Sequence, residues 1–398
     1  MSSIWDSLVG QDDIVTSLER AVVDAERRTR GEPGPAMTHA WLFTGPPGSG
    51  RSTAAACFAA ALVCPEGGCG VCQACRTAPL GGHPDVDMVR PEGVSYLVKE
   101  ARALVMTSEL SPAKSFWHVM VVEDADRLTD AAVNALLKSI EEPPPHTVWI
   151  LCAPSVEDVL PTIVSRTRHV ALRTPSARDV ADLLVERYGV DRAIAAFAAR
   201  ASQGHIGRAR ALATDEHARL RRQDVLRIPL QLHDIPSCFM NAANLISAAT
   251  EDAKAITDPI DEFEDEQLAS AYGAGGDVRI KGQLKKSMDA AAKELAKRQK
   301  TRSTRTVRDQ IDRALVDLMG LYRDVLLIQV DSGVPLINEE MRPQLTQLAR
   351  QGVANDTGRR LRAISYARAQ VQANVTPLLA MESLMIELKD PWIRSAIA

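Results

Sequence analysis

Gly45-Pro46-Pro47-Gly48-Ser49-Gly50-Arg51-Ser52 reads as a phosphate-binding loop with one residue out of place. The GxxxxGK[ST] pattern needs glycines so that consecutive backbone N–H groups can wrap an anionic phosphate. It needs Lys between the terminal phosphates and Ser or Thr to hold Mg²⁺. Gly45, Gly50 and Ser52 satisfy it, and Pro46, Pro47, Gly48 and Ser49 fill the variable positions. His39–Thr44 ahead of the loop reads as a buried strand and Ser52–Val63 after it as a helix, the context the loop requires. Arg51 departs from the pattern, because a planar guanidinium is longer and more weakly hydrated than a compact ammonium. The expectation is an ATPase architecture whose ATP site is degenerate, with nucleotide and Mg²⁺ bound weakly or not at all.

Outward from the loop, elements alternate. His118–Val122 is a β-branched run ending in Glu123-Asp124; a helix Asp130–Glu142 stops at Pro143-Pro144-Pro145; Thr147–Cys152 and Val170–Leu172 are further strands. Ahead of the loop, Trp5–Ala25 contains an amphipathic helix and Thr29–Ala36 a Gly/Pro-rich connection. Strands alternating with helices predict an α/β domain, a parallel sheet covered on both faces. Three short Ala/Leu-rich helices follow (Ala177–Tyr188, Asp191–Gln203, Ile206–Thr214) and predict a small lid. From about Arg219 only helical periodicity remains, which predicts an all-α C-terminal domain. The expected boundaries are 1–173, 174–218 and 219–398.

Four of the seven cysteines crowd together as Cys64, Cys69, Cys72 and Cys75, the last three spaced C-x₂-C-x₂-C among glycines. This spacing suits a knuckle at 64–75 that offers four thiolates to one tetrahedral Zn²⁺. A closed four-thiolate set is structural, since no position is left open for chemistry. A disulfide is the competing reading, disfavoured in the cytoplasmic setting expected here. Cys57, Cys152 and Cys238 lie in apolar surroundings and read as small core residues.

At 398 residues the chain has material for two or three domains. Aromatics make up 4%, too few for a surface that stacks single-stranded bases, and the net charge of −4 argues against a global basic field for DNA. No basic-then-apolar leader and no apolar run of roughly 20 residues is present, so no membrane partner is expected. One excursion stands out: Glu251–Glu266 is acidic and Lys281–Arg308 basic, with a turn at Tyr272–Gly276 between them. Two readings stay open for this 251–308 stretch, a solvated hairpin whose arms attract each other and a binding arm for DNA or a partner.

Several motifs occur in order: Leu8-Val9-Gly10-Gln11, His39 to Gly48, the cysteine knuckle, Gly82-His83-Pro84-Asp85, Asn134-Ala135-Leu136-Leu137-Lys138 with Glu141-Glu142-Pro143-Pro144, and Ser165-Arg166. Together they resemble the bacterial clamp-loader branch of the AAA+ family, and most of all its delta-prime class. The match is dense from Trp5 to about Arg173 and only architectural beyond Arg219. The resemblance implies one part of a pentameric hetero-oligomer of the DNA polymerase III holoenzyme. Its other parts would be gamma/tau-type motor subunits and a clamp-opening delta subunit, with a helical collar joining them. The assembly would load a sliding clamp onto primed DNA when ATP is bound and hydrolysed elsewhere.

Within that family the residues favour a subunit that does not hydrolyse ATP. Arg51 replaces the loop lysine; Glu123-Asp124 inverts the usual Asp-Glu; Gly207 stands where the lid arginine belongs, with Arg208 about 100° round the helix; Ala153 or Pro154 replaces the polar residue closing the fourth strand. Ser165-Arg166-Thr167 resembles the motif whose arginine reaches a neighbour's ATP, so Arg166 is the one expected catalytic residue, acting in trans. Its plainer reading is a surface arginine capping a local carboxylate. An active motor subunit and a zinc-dependent DNA-binding protein are the alternative functions.

Overall fold

The computed structural model describes residues 3–91, 93, 95–272, 283–373 and 375–392, the side chains of 283 and 284 aside. The expected turn at Tyr272–Gly276 and the start of the basic arm at Lys281 fall mostly outside these residues. The chain divides into two units, Met1–Thr214 and Asp215–Ala398.

The first unit begins with a short 3-10 turn, Ile4–Ser7, and α1 (Asp12–Thr29). Then come β1 (Ala40–Thr44), α2 (Arg51–Val63), α3 (Gln73–Thr77), β2 (Val86–Val89), α4 (Val98–Ser108), β3 (His118–Val122), α5 (Asp130–Glu141), β4 (Thr147–Ala153), α6 (Pro161–Val164) and β5 (Arg168–Ala171). The five strands form one parallel sheet in the order β2-β3-β4-β1-β5. Side chains alternate across it. Trp41, Phe43, Val119, Val121, Ile150 and Cys152 enter one core with α1 and α2, while Leu42, Met120, Val122, Trp149 and Leu151 enter the other with α4 and α5. Both faces are therefore apolar, which is why β1, β3 and β4 are buried at every position. Phe58 on α2 packs edge-on against Trp41 with ring centroids 4.9 Å apart.

The sequence pattern does not announce β2 or α4. β2 is a four-residue edge strand whose second residue is Asp87, too short and too polar for a run of that length to register. The lid follows as α7 (Ala177–Tyr188), α8 (Arg192–Ser202) and α9 (Ile206–Thr214), grouped with the sheet in the first unit. Ser176 and Asp179 close a capping box at the start of α7, and the Asp191 side chain caps α8.

The second unit is helical: α10 (Glu216–Gln231), α11 (Ile235–Ala271), α12 (Gln283–Gln329), α13 (Arg342–Arg350), α14 (Ala354–Gln372) and α15 (Pro377–Lys389). Leu245, Leu315, Leu318, Leu321, Ile364, Met381 and Leu384 are among the residues of its core. A buried polar cluster crosses it, in which Arg222 meets Asp317 (3.1 Å) and Asn338, and Asp324 accepts from the Asn338 backbone (2.7 Å) and side chain (2.8 Å). Among the described residues no helix is long and apolar enough to cross a membrane.

Candidate nucleotide and metal sites

Register brings the C-terminal ends of three strands side by side: Thr44 pairs with Ala153, and Val122 with Leu151. In a parallel α/β sheet this edge is where ligands bind, because loops leave it for opposite faces. The phosphate loop leaves β1 here, Glu123-Asp124 leaves β3, and Ala153-Pro154 ends β4.

The loop itself is drawn inward. Its Gly45 N–H donates to the Pro154 carbonyl (3.2 Å) and its Ser49 N–H to the Pro46 carbonyl (3.0 Å). Gly48 has a φ of +90°, and a Cβ there would lie 2.7 Å from the His205 Cα, so only glycine lets the lid close this far onto the loop. Gln11, almost fully buried, links the loop to the start of the lid. Its amide donates to the Arg173 carbonyl (2.6 Å) and the Ser49 carbonyl (3.4 Å).

Arg51, Ser52, Glu123 and Asp124 at this edge all have partners within the chain. The Arg51 guanidinium folds back to donate to the Gly45 carbonyl (2.6 Å) and sits 3.9 Å from the Asp124 carboxylate. Ser52 donates to one Glu123 oxygen (2.9 Å), and Arg90 reaches the other at 2.9 Å. Asp124 adopts a left-handed backbone, φ 51° and ψ 48°, so the inverted acidic pair turns sharply as it leaves β3. Arg90 is a residue the sequence does not single out. It follows β2, and its role appears only when β2 pairs with β3.

Gly207 and Arg208 lie at the start of α9, where the Arg208 N–H donates to the His205 ring (3.2 Å). Ala153 is fully buried in the sheet and offers no polar group. Arg166 follows α6. Its guanidinium donates to Glu141 at the end of α5, to the Thr162 carbonyl (2.8 Å) and to Ser165 (3.1 Å). This is the local carboxylate contact of the plainer reading, and it leaves the side chain about a third exposed.

The cysteines come together as a second site. The Sγ atoms of Cys64, Cys69, Cys72 and Cys75 all lie within 4.8 Å of one another, and all four are free thiols. Cys64 Sγ is 3.6 Å from Cys72 and 3.8 Å from Cys69. Four Zn–S bonds of about 2.3 Å in a tetrahedron place their sulfurs about 3.8 Å apart, so the set could hold such an ion. Gly68 makes the turn possible, with φ at +111° and a Cβ position 2.9 Å from Ile4. Burial pushes the Cys64 thiol up, but N–H groups of Cys69, Gly68 and Glu66 outweigh it and bring it down to about 7. Burial pushes the Cys72 and Cys75 thiols up.

The Gly82-His83-Pro84-Asp85 motif serves the fold. Asp85 is buried and accepts hydrogen bonds from the Lys114 (2.9 Å) and Ser115 (2.7 Å) N–H groups and from the Ser115 hydroxyl (2.9 Å), tying the loop before β3 in place. Burial raises its pKa, and these hydrogen bonds more than reverse the effect, leaving it below the usual carboxylate range.

Residues 34–176 match the family model described as DNA polymerase III, delta subunit. DNA polymerase III subunit gamma/tau of Mycobacterium tuberculosis is 35% identical over 207 residues, covering 50% of this chain and 34% of that protein. DNA polymerase III subunit delta' of Bacillus subtilis is 33% identical over 156 residues (38% of this chain, 47% of that one). Subunit delta' of Escherichia coli is 34% identical over 184 residues (44% and 54%). The chain thus spans from about a third to about half the length of these curated relatives. With its parallel sheet, phosphate loop and helical lid, the first unit is similar over this stretch to subunits of DNA polymerase III, delta' and gamma/tau alike.

Proposed function

We propose that the chain is a stator-like, delta-prime-type subunit of a DNA polymerase III clamp loader, without ATPase turnover of its own. The observation that carries the reading is the internal pairing at the sheet edge. Arg51 lies on the Gly45 carbonyl and beside Asp124, and Glu123 is shared between Ser52 and Arg90. A motor needs that serine and an acid for Mg²⁺, a second acid to orient water, and a lysine on the phosphates. Here two guanidiniums take the place of the cations, and Gly207 and Ala153 offer nothing to a γ-phosphate. The collar role belongs to the second unit, and the zinc role to Cys64, Cys69, Cys72 and Cys75, where the ion would brace the knuckle beside α2.

The partners in this reading are gamma/tau-type motor subunits, a clamp-opening subunit, and, through the assembly, a sliding clamp and primed DNA. Arg166 is the group offered to a neighbour. Its guanidinium would leave Glu141 for the charge that builds on a transferred phosphoryl group. The 35% identity to a gamma/tau subunit favours the rival motor reading, and turnover separates the two. The purified chain should hydrolyse ATP far below 1 s⁻¹, the low end of ordinary enzymes; a rate at or above that value sinks the stator assignment. In a reconstituted loader, Arg166→Ala should leave assembly intact and lower ATPase partially, because one motor site of several loses a group worth roughly 10³–10⁵ there. Clamp loading onto primed DNA should fall further than ATPase. Unchanged rates for both would return Arg166 to its local role with Glu141.

A further inference from the structure

The core of the second unit ends at Ala249 on α11 and Val307 on α12. Beyond it, residues 250–271 and 283–306 run on as two paired helices, the first about 33 Å long at 1.5 Å per residue. Their contact face is set by buried Ala253, Thr257 and Leu295 and by polar bonds from α12 to α11. Arg302 donates to Glu264 (2.8 and 2.6 Å) and to Asp261, and Gln299 donates to the Asp261 carbonyl (3.2 Å) and to Asp265 (3.1 Å). Arg302 and Gln299 thus link the arms and Arg298 adds attraction to Glu264, whereas none of the lysines that make α12 basic is ion-paired among the described residues.

With positions 295, 299 and 302 facing α11, a rotation of 100° per residue puts Lys286, Lys293, Lys297 and Lys300 on the opposite side of α12. All four are exposed, and among the described residues none forms an ion pair; Asp289 and Glu294 flank the row. By the same count Glu262 and Glu266, also exposed, lie on the side of α11 away from α12, with exposed Asp258 on the flank. The paired helices thus carry a basic edge and an acidic edge, back to back.

We propose that the lysine edge is a docking surface for the phosphate backbone of duplex DNA, read without regard to sequence. From Lys286 to Lys300 the row extends about 21 Å, along which a duplex presents roughly one negative charge per 1.7 Å. Ammonium groups on flexible stems meet phosphates as point charges and need no fixed geometry. Residues 283–306 contain no aromatic side chain, so there is no platform for unpaired bases. Ala290 and Ala296 are the apolar residues nearest the row, too small to form the desolvated centre of a protein interface. The acidic edge lies on the far side of a neighbouring helix, roughly 10 Å or more away, where a Debye length of about 8 Å screens it at physiological ionic strength.

The test uses the full chain and a fluorescent 30-bp duplex, with affinity measured across a salt series and folding checked by circular dichroism. The Lys286→Gln/Lys293→Gln/Lys297→Gln/Lys300→Gln variant should bind at least about tenfold more weakly at low salt. Its slope of log K against log[salt] should be shallower by about 3 to 4, at roughly 0.9 for each phosphate no longer neutralised. Asp258→Asn/Glu262→Gln/Glu266→Gln should leave that slope unchanged. An unaltered slope in the lysine variant, or no duplex binding by the unmodified chain at low salt, overturns the proposal. So does loss of binding to polyglutamate with duplex binding intact, which would assign the edge to an acidic protein.

Discussion

The edge of the sheet and the paired arms of the second unit are both rich in charge, and they dispose of it in opposite ways. At the sheet edge Arg51, Arg90, Ser52, Glu123 and Asp124 are matched inside the chain, so the charges are engaged before any ligand arrives. On the arms Arg302 joins the helices, and the lysines of α12 and the outer acids of α11 face water on opposite edges. Pairing costs less when both members already sit near low-dielectric protein, whereas exposed lysines are solvated at little cost until a polyanion displaces their counterions. The cysteine knuckle is an intermediate case, with four ligands that become like-charged when ionised and that a cation would reconcile.

The knuckle should show the largest effect. Each chain should hold one zinc ion, and Cys72→Ser should abolish it while lowering the melting temperature by several degrees, since metal binding is coupled to local folding. Metal analysis of freshly reduced protein checks the first and calorimetry the second; metal-free protein with an unchanged melting temperature would refute both.

At the sheet edge Glu123→Ala removes the acceptor that Ser52 and Arg90 share. A loss of about 1.5–3 kcal/mol is expected, the range for a hydrogen bond to a charged group. Denaturant unfolding would measure it. A neutral outcome would mean that the internal pairing is incidental and that the site is not closed by it.

The smallest effect belongs to the arms. Arg302→Ala should cost no more than about 1 kcal/mol, because the pair is partly exposed and screened. Its pH dependence carries the sign. Hydrogen bonds from Arg302 are the largest influence on Glu264 and hold its carboxyl below the usual value. That contribution is present above the unfolded pKa of about 4.3 and is lost as pH falls through the lower folded value. The variant should therefore lose less stability than the parent on acidification below about pH 4.3.

Much of the α/β unit could be read from local pattern. β1, β3 and β4 are apolar runs because both faces of a parallel sheet are covered, and the loop sits where glycine and proline interrupt them. The cysteine cluster was legible because ligands close in sequence need only tight turns to meet. β2 was not legible, and with it went Arg90, whose partner lies on a different strand. Which carboxylate Arg166 meets, and the contact of Gly48 with His205, were hidden for the same reason, separations too long for periodicity to reach. In the arms, composition announced opposite charge and suggested attraction, but the faces were set by which residues pack.

The sequence by itself determined the residue types: the missing loop lysine, the inverted acids, the four clustered thiols, the lysines of α12. These are local facts, because chemistry of that kind resides in single side chains and short spacings. Only the tertiary structure decided which charges meet. Strand order placed Arg90 on Glu123, and the rotation of α12 against α11 turned Arg302 inward and the lysines out. The physical reason is that pairing energy falls off within a few ångströms, so it is settled by packing at each contact and not by the order of residues along the chain.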